Sequence, residues 1–203
     1  MKRIGLSELD EMSSRFRAAF VNSLSGFKSV YLIGTKSTQQ VTNLAPFNSI
    51  VHIGSKPAML GYIARPETEE HQTLKNIRET GFYTINNVLP SFYQKAHQCS
   101  AKYSATQSEF TEVGLEEVYS NDFPAPYVKG STLQIGLELQ EIIPIKLNDT
   151  SMVIGKVVEI NLDESLIEAD GFVNLEAAES LATLGLNRYY KTQHIGYLPY
   201  ANN

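Results

Sequence analysis

Leu133-Gln134-Ile135-Gly136-Leu137-Glu138-Leu139-Gln140 alternates apolar and polar side chains without a break. A period of two places Leu133, Ile135, Leu137 and Leu139 on one face of a strand, with Gln134, Glu138 and Gln140 on the other. One face is therefore buried and one wet. Asn148-Asp149 reads as a turn, and residues 152–160 as the strand that pairs back. Upstream, residues 29–33 are β-branched and aromatic and are ended by Gly34. Residues 49–53 end at Gly54, and Ser55-Lys56-Pro57 turns the chain into a further strand over 58–63, which predicts a hairpin. Residues 82–86 add another strand after Gly81.

Helical spacing is sparser. Leu9, Met12, Phe16 and Phe20 predict one helix over the N-terminal segment, capped by Ser7, stopped by Gly26 and laid against one side of a core. Short helices are expected over 73–80 and 91–99. Asn174 is expected to cap a helix carrying Leu175, Leu181 and Leu184, closed by Gly185. Residues 100–131 carry Ser, Gly, Pro and Asn with little period and read as a long surface excursion. Strands outnumber helices, and the regular crossover helices of parallel βαβ units are missing. The expectation is a mainly β, closed antiparallel barrel with a few peripheral α-helices.

At 203 residues, 42% hydrophobic and 19% charged, the chain can bury a core as one domain over 1–203, with 1–26 as a helical extension. Seventeen Lys+Arg against 22 Asp+Glu give a net charge of −5, which argues against a broad nucleic-acid face. No apolar run approaches the ~18 residues of a membrane span. Met1-Lys2-Arg3-Ile4-Gly5-Leu6-Ser7-Glu8 lacks the apolar core of a signal peptide. A cytoplasmic location is expected. Cys99 is the only cysteine; it excludes an intramolecular disulfide and a Cys-rich metal site, and it reads as a small buried hydrophobe.

Most familiar motifs are missing. No G-x-G-x-x-G or G-x-S-x-G is present, and Gly34-Thr35-Lys36-Ser37 lacks the order of a P-loop. His52, His71, His97 and His194 form no H-E-x-x-H pair, so no metal ligand is named. No catalytic acid or base is named either. The informative stretch is Asn43-Leu44-Ala45-Pro46-Phe47-Asn48-Ser49, read as a polar loop that turns backbone N–H groups outward. Arg65-Pro66-Glu67-Thr68 follows, then the helix beginning near Thr73. A helix N-terminus with a hydroxyl and one arginine is a seat for phosphate.

In this order, residues 42–87 resemble the flavin reductase-like family, which binds FMN in a split β-barrel. The 43–49 run carries part of the likeness, as does Pro57 followed by the apolar strand and Arg65. The most specific piece is Thr73-Leu74-Lys75-Asn76-Ile77-Arg78-Glu79-Thr80-Gly81-Phe82-Tyr83-Thr84-Ile85-Asn86. It matches the family's run of Thr, two residues, Asn-Ile, then Thr-Gly, an aromatic and a strand ending in Asn. Ser108-Glu109-Phe110 with Gly114-Leu115, Val153-Ile154-Gly155-Lys156-Val157-Val158, and Leu184-Gly185-Leu186-Asn187-Arg188-Tyr189-Tyr190 agree more loosely. Where the family often has Asp before the Thr, this chain has Gln72.

The resemblance implies an antiparallel Greek-key split β-barrel that binds FMN as a homodimer, with the flavin near the subunit interface. It implies NAD(P)H as hydride donor and a flavin, metal complex or protein as electron acceptor. Asn43, Asn48 and Ser49 would hydrogen-bond the ring edge or ribityl chain, backbone donors around Pro46–Ser49 would meet the charge of the reduced ring, and Ala45 and Phe47 would also contact the cofactor. Arg65, Thr73 and Asn76 would hold the phosphate, with Lys75 and Lys102 as spare cations. Two alternatives stay open: a flavoredoxin-like electron carrier without NAD(P)H turnover, and a cofactor-free barrel used as a binding module.

Overall fold

A computed structural model describes residues 1–66, 72–120, 122–185, 187–199 and 201. Glu67, Thr68, His71 and Leu186 of the runs quoted above lie outside the described residues. In chain order, α1 (Leu6–Glu11) and α2 (Ser14–Leu24) precede β1 (Lys28–Ser29), β2 (Tyr31–Lys36), β3 (Thr42–Phe47), β4 (Val51–Ser55) and β5 (Ala58–Ala64). Next come α3 (Gln72–Thr80), β6 (Phe82–Asn87), α4 (Tyr93–Gln98), α5 (Glu109–Val113), β7 (Glu117–Val118) and β8 (Tyr127–Val128). The long hairpin of β9 (Leu133–Ile145) and β10 (Thr150–Leu162) is followed by β11 (Ala182–Leu184) and β12 (Arg188–Tyr190).

Seven strands form one antiparallel sheet in the order β3-β2-β6-β9-β10-β5-β4. Non-consecutive neighbours such as β2 beside β6 and β10 beside β5 give it a Greek-key order. The end strands β3 and β4 do not pair, so the barrel is split between them. The fold is a mainly β antiparallel split barrel with peripheral helices. The alternating run at 133–140 is the first half of β9, and its register with β6 and β10 sets the middle of the sheet.

The period of two separates two cores. Ile33, Tyr62, Tyr83, Ile85, Leu137 and Val153 pack with Leu74 and Ile77 of α3 on one face. Leu32, Leu44, Val88 and Val128 pack on the other with Ala96, Cys99, Phe110 and Leu181. Cys99 is 3% exposed and belongs to that second core, as its single occurrence predicts. The sheet also needs close backbone approach at Gly34. A Cβ there would meet the Pro126 carbonyl oxygen and the Thr84 hydroxyl.

Four expectations are corrected. The N-terminal helix is two helices, because Met12 and Ser13 are extended. Ser7 lies inside the first of them, and no residue of either helix is buried. Residues 42–47 are a strand, not a loop. Pro46 is tolerated because β3 is an end strand, whose outward positions need no N–H donor. The 100–131 segment is more than a surface excursion: it carries α5 and a small hairpin, and it buries Phe110, Phe123, Ala125, Tyr127 and Val128. No helix starts at Asn174. Its side chain accepts the Ala177 N–H at 2.8 Å, but Glu179 has φ of 52°, which ends the turn, and Leu184 lies in β11.

Gly34→Ala is expected to cost about 1–3 kcal/mol, because the new methyl must displace backbone, not a side-chain end. Denaturant unfolding measures it; a variant as stable as wild type would contradict the close approach.

Candidate functional site

The split leaves a cleft of about 280 Å³ beside β3 and the second half of β5. Asn43, Ala45, Pro46, Phe47, Asn48, Ser49, Arg65 and Thr73 all line it. The local order has clear causes. The Ser49 hydroxyl accepts the Ile63 N–H at 3.1 Å and donates to the Ile63 carbonyl at 3.3 Å. It therefore pins the chain to β5 before β4 begins. The Asn48 amide donates to the Gly185 carbonyl. Phe47 and Tyr62 meet edge to face with centroids 4.8 Å apart. The cleft wall is thus held by the protein's own bonds.

Among the described lining residues, two buried polar groups have no partner. Asn43 is 6% exposed, and its Nδ2 has no hydrogen-bond partner. An unmet buried donor costs about 1–3 kcal/mol, so such groups mark places where a ligand acceptor can sit. Tyr62, which also lines the cleft, has a buried hydroxyl without a partner. Arg65 is exposed at the close of β5, and Gln72 and Thr73 stand in the first turn of α3 on the lining of the same cleft. Among the described residues Arg65 faces no carboxylate in an ion pair. A helix N-terminus, a hydroxyl and a guanidinium share that lining, which suits a phosphate.

Asn76 is not part of this wall. It is buried on α3, where its amide donates to the Thr35 hydroxyl at 3.0 Å. It borders a separate inner cavity of about 10 Å³, shared with Asn43 and Glu109. Lys75 is exposed, whereas Lys102 lines the cleft.

Among the wall residues that the patterns above do not single out are Tyr62 and Glu109. Tyr62 is hidden in an apolar strand, where a tyrosine reads as core. Glu109 sits in a segment without period. The structure places Glu109 in the first turn of α5, its Oε2 accepting the Leu44 N–H at 3.0 Å. Burial pushes its carboxyl above the usual range, against the opposing pull of that N–H and of its own backbone N–H. Burial, with the Glu109 charge nearby, pushes the Cys99 thiol up to about 12. That thiol is not a nucleophile at neutral pH.

The split barrel thus carries a cleft with a buried, unpartnered Asn43 donor on its wall and with Arg65, Gln72 and Thr73 along the same lining. A family model described as the flavin reductase like domain matches residues 27–179, and the chain belongs to that family. A candidate flavin reductase with a split barrel domain from Shewanella frigidimarina NCIMB 400 is 41% identical, with a TM-score of 0.95, covering 99% of this chain and 100% of that one. Nitrilotriacetate monooxygenase component B from Bacillus cereus has a TM-score of 0.84 at 20% identity, covering 98% of each chain. Flavoredoxin of Desulfovibrio vulgaris (Miyazaki F) has 0.73 at 20% identity, covering 87% of this chain and 92% of that one. These last two share the fold.

The raised Glu109 carboxyl has a stability consequence. The folded chain holds its proton at pH values where the unfolded chain has lost it. The contribution to stability is full below the unfolded value and is lost as pH climbs through the folded one. Glu109→Gln keeps an oxygen for the Leu44 N–H and removes the charge. It is expected to melt at or above wild type at pH 8, with the difference shrinking toward pH 4. A variant that loses more stability relative to wild type at pH 8 than at pH 4 would contradict this.

Proposed function

We propose that the protein binds FMN in this cleft and acts as a flavin reductase-like oxidoreductase, taking hydride from NAD(P)H and passing electrons to a flavin, a metal complex or a protein. The observation that supports this most is the unpartnered Asn43 amide on the wall of a cleft that also holds Arg65 and the first turn of α3. The residues fit both ends of FMN, a ring edge rich in acceptors and a phosphate. FMN supplies the redox chemistry when bound; the protein supplies binding, orientation and electrostatics.

On this reading each residue has a role. The Asn43 amide donates to a ring acceptor. Ala45, Pro46 and Phe47 offer apolar wall to the flat ring. Asn48 and Ser49, tied to Gly185 and Ile63, keep that wall in register and present their remaining polar surface to the ring edge and ribityl chain. Arg65 and the Thr73 hydroxyl hold the phosphate. Asn76 acts from behind, fixing α3 to β2 through Thr35.

The functional unit is proposed to be the whole 1–203 chain, as a cytoplasmic homodimer. A second protomer would complete the cleft. Val158 and Ile160 on β10, Ile143 on β9, and Phe16 and Leu24 on α2 leave apolar surface exposed for that contact. No helix among the described residues is long and apolar enough to cross a membrane.

FMN fluorescence is expected to quench on titration with the protein. Arg65→Ala should weaken binding by about 1.5–3 kcal/mol, roughly 10- to 150-fold, as for loss of one charge-assisted partner. No quenching by wild type would sink the reading. Anaerobic mixing with NADH or NADPH should bleach the bound flavin; bleaching by a partner reductase alone would make the protein an electron carrier. Sedimentation should give twice the chain mass of 22.6 kDa; a monomer with FMN bound would contradict the dimeric site.

A further inference from the structure

We infer that Glu109 is the proton-bearing group of the cleft: its carboxylate takes up one proton when bound flavin gains two electrons and returns it on reoxidation. The inference rests on the FMN reading above but concerns a residue that this reading does not use. Glu109 borders both the cleft and the inner cavity. Among the described residues that line either space, it is the sole carboxylate. Its Oε2 is held by the Leu44 N–H, so the carboxylate cannot swing away into solvent without leaving that donor on the outer edge of β3 unmet. Next to Leu44 stands Asn43, whose free amide borders the same two spaces.

The charge balance favours uptake. Hydride delivery adds two electrons and one proton to a neutral ring system and leaves it anionic. A second negative charge in the same cleft then becomes costlier. Protonating Glu109 removes it: the carboxylate and one solvent proton become the neutral acid, and oxidation reverses the step. The inner cavity, at about 10 Å³, has room for about one water. Its lining joins Glu109 and Asn43 to the exposed Ser104 and Gln107, so a proton held there can exchange with solvent.

The other titratable and charged groups around Glu109 do not compete for this role. Cys99, at the end of α4, stays a neutral thiol. Tyr62, across the cleft, has a hydroxyl that burial pushes well above its ordinary value. Lys102 and Arg65 are exposed cations on the cleft rim, Glu112 is an exposed residue of α5, and Tyr103 borders only the inner cavity.

The test is a spectroelectrochemical titration of FMN bound to wild type and to Glu109→Gln between pH 5 and 9. One extra proton per two electrons changes the equilibrium tenfold per pH unit, which is about 30 mV for a two-electron couple. Over part of this range the wild-type potential should fall with pH more steeply than that of the variant by about 30 mV per unit. Parallel profiles throughout would overturn the inference. If the variant does not fold, the infrared difference spectrum of wild type decides: a protonated-carboxyl band should appear on reduction, and its absence counts against Glu109. If wild type binds no FMN at all, it is the cofactor reading that has failed, before Glu109 is reached.

Discussion

The outer edge of β3 is the constraint on which the site depends. An end strand carries backbone groups that would pair with any strand offered to them. On β3, position 46 has no N–H because it is proline, and the Leu44 N–H two residues earlier is taken by Glu109. Thr42, two residues earlier again, exchanges a hydrogen bond with the Ser108 hydroxyl at 2.7 Å. Two outward backbone donors on this side of β3 are thus unavailable, one bonded to α5 and one missing. A further strand would meet a broken row of donors there. The barrel stays split, and the space that pairing would have consumed becomes a cleft.

The elements around that cleft are anchored in two cores. The face carrying Ile33, Tyr83 and Leu137 takes Leu74 and Ile77 of α3, so the first turn of α3 is placed by buried leucine and isoleucine. Asn76 then ties the helix to Thr35 on β2. The face carrying Leu32 and Leu44 takes Ala96, Cys99 and Phe110, which sets α4 and α5 and hence Glu109. Packing on both sides of one sheet therefore positions α3 and Glu109 around the cleft. The polar residues at the rim inherit their geometry from this apolar packing.

Much of this was legible in the residues, and the exceptions have physical causes. Leu133 to Gln140 reads as a strand because one sheet face is wet there, so alternation survives. The hairpin around Pro57 and the helix stopped at Gly81 read correctly because their signals are local; Gly81 does adopt a left-handed φ of 80°. Asn43 to Phe47 reads as a loop because Asn and Pro usually break strands, and only knowledge of an end position reverses that. Leu175, Leu181 and Leu184 mimic helical spacing, yet Leu181 is drawn into the core beside Val88 while Leu184 pairs in β11. Arg65 and Thr73 could be singled out by chemistry, and the structure brings them to the lining of one cleft. Glu109 could not, since a lone glutamate in an aperiodic stretch gives no hint that it closes a strand edge 65 residues away.

The most direct test is the visible spectrum of the purified protein, after incubation with FMN if needed, with the pigment then released by heat and identified. The account predicts a yellow protein that yields close to one FMN per chain. A colourless protein that takes up no flavin even from an excess would contradict it.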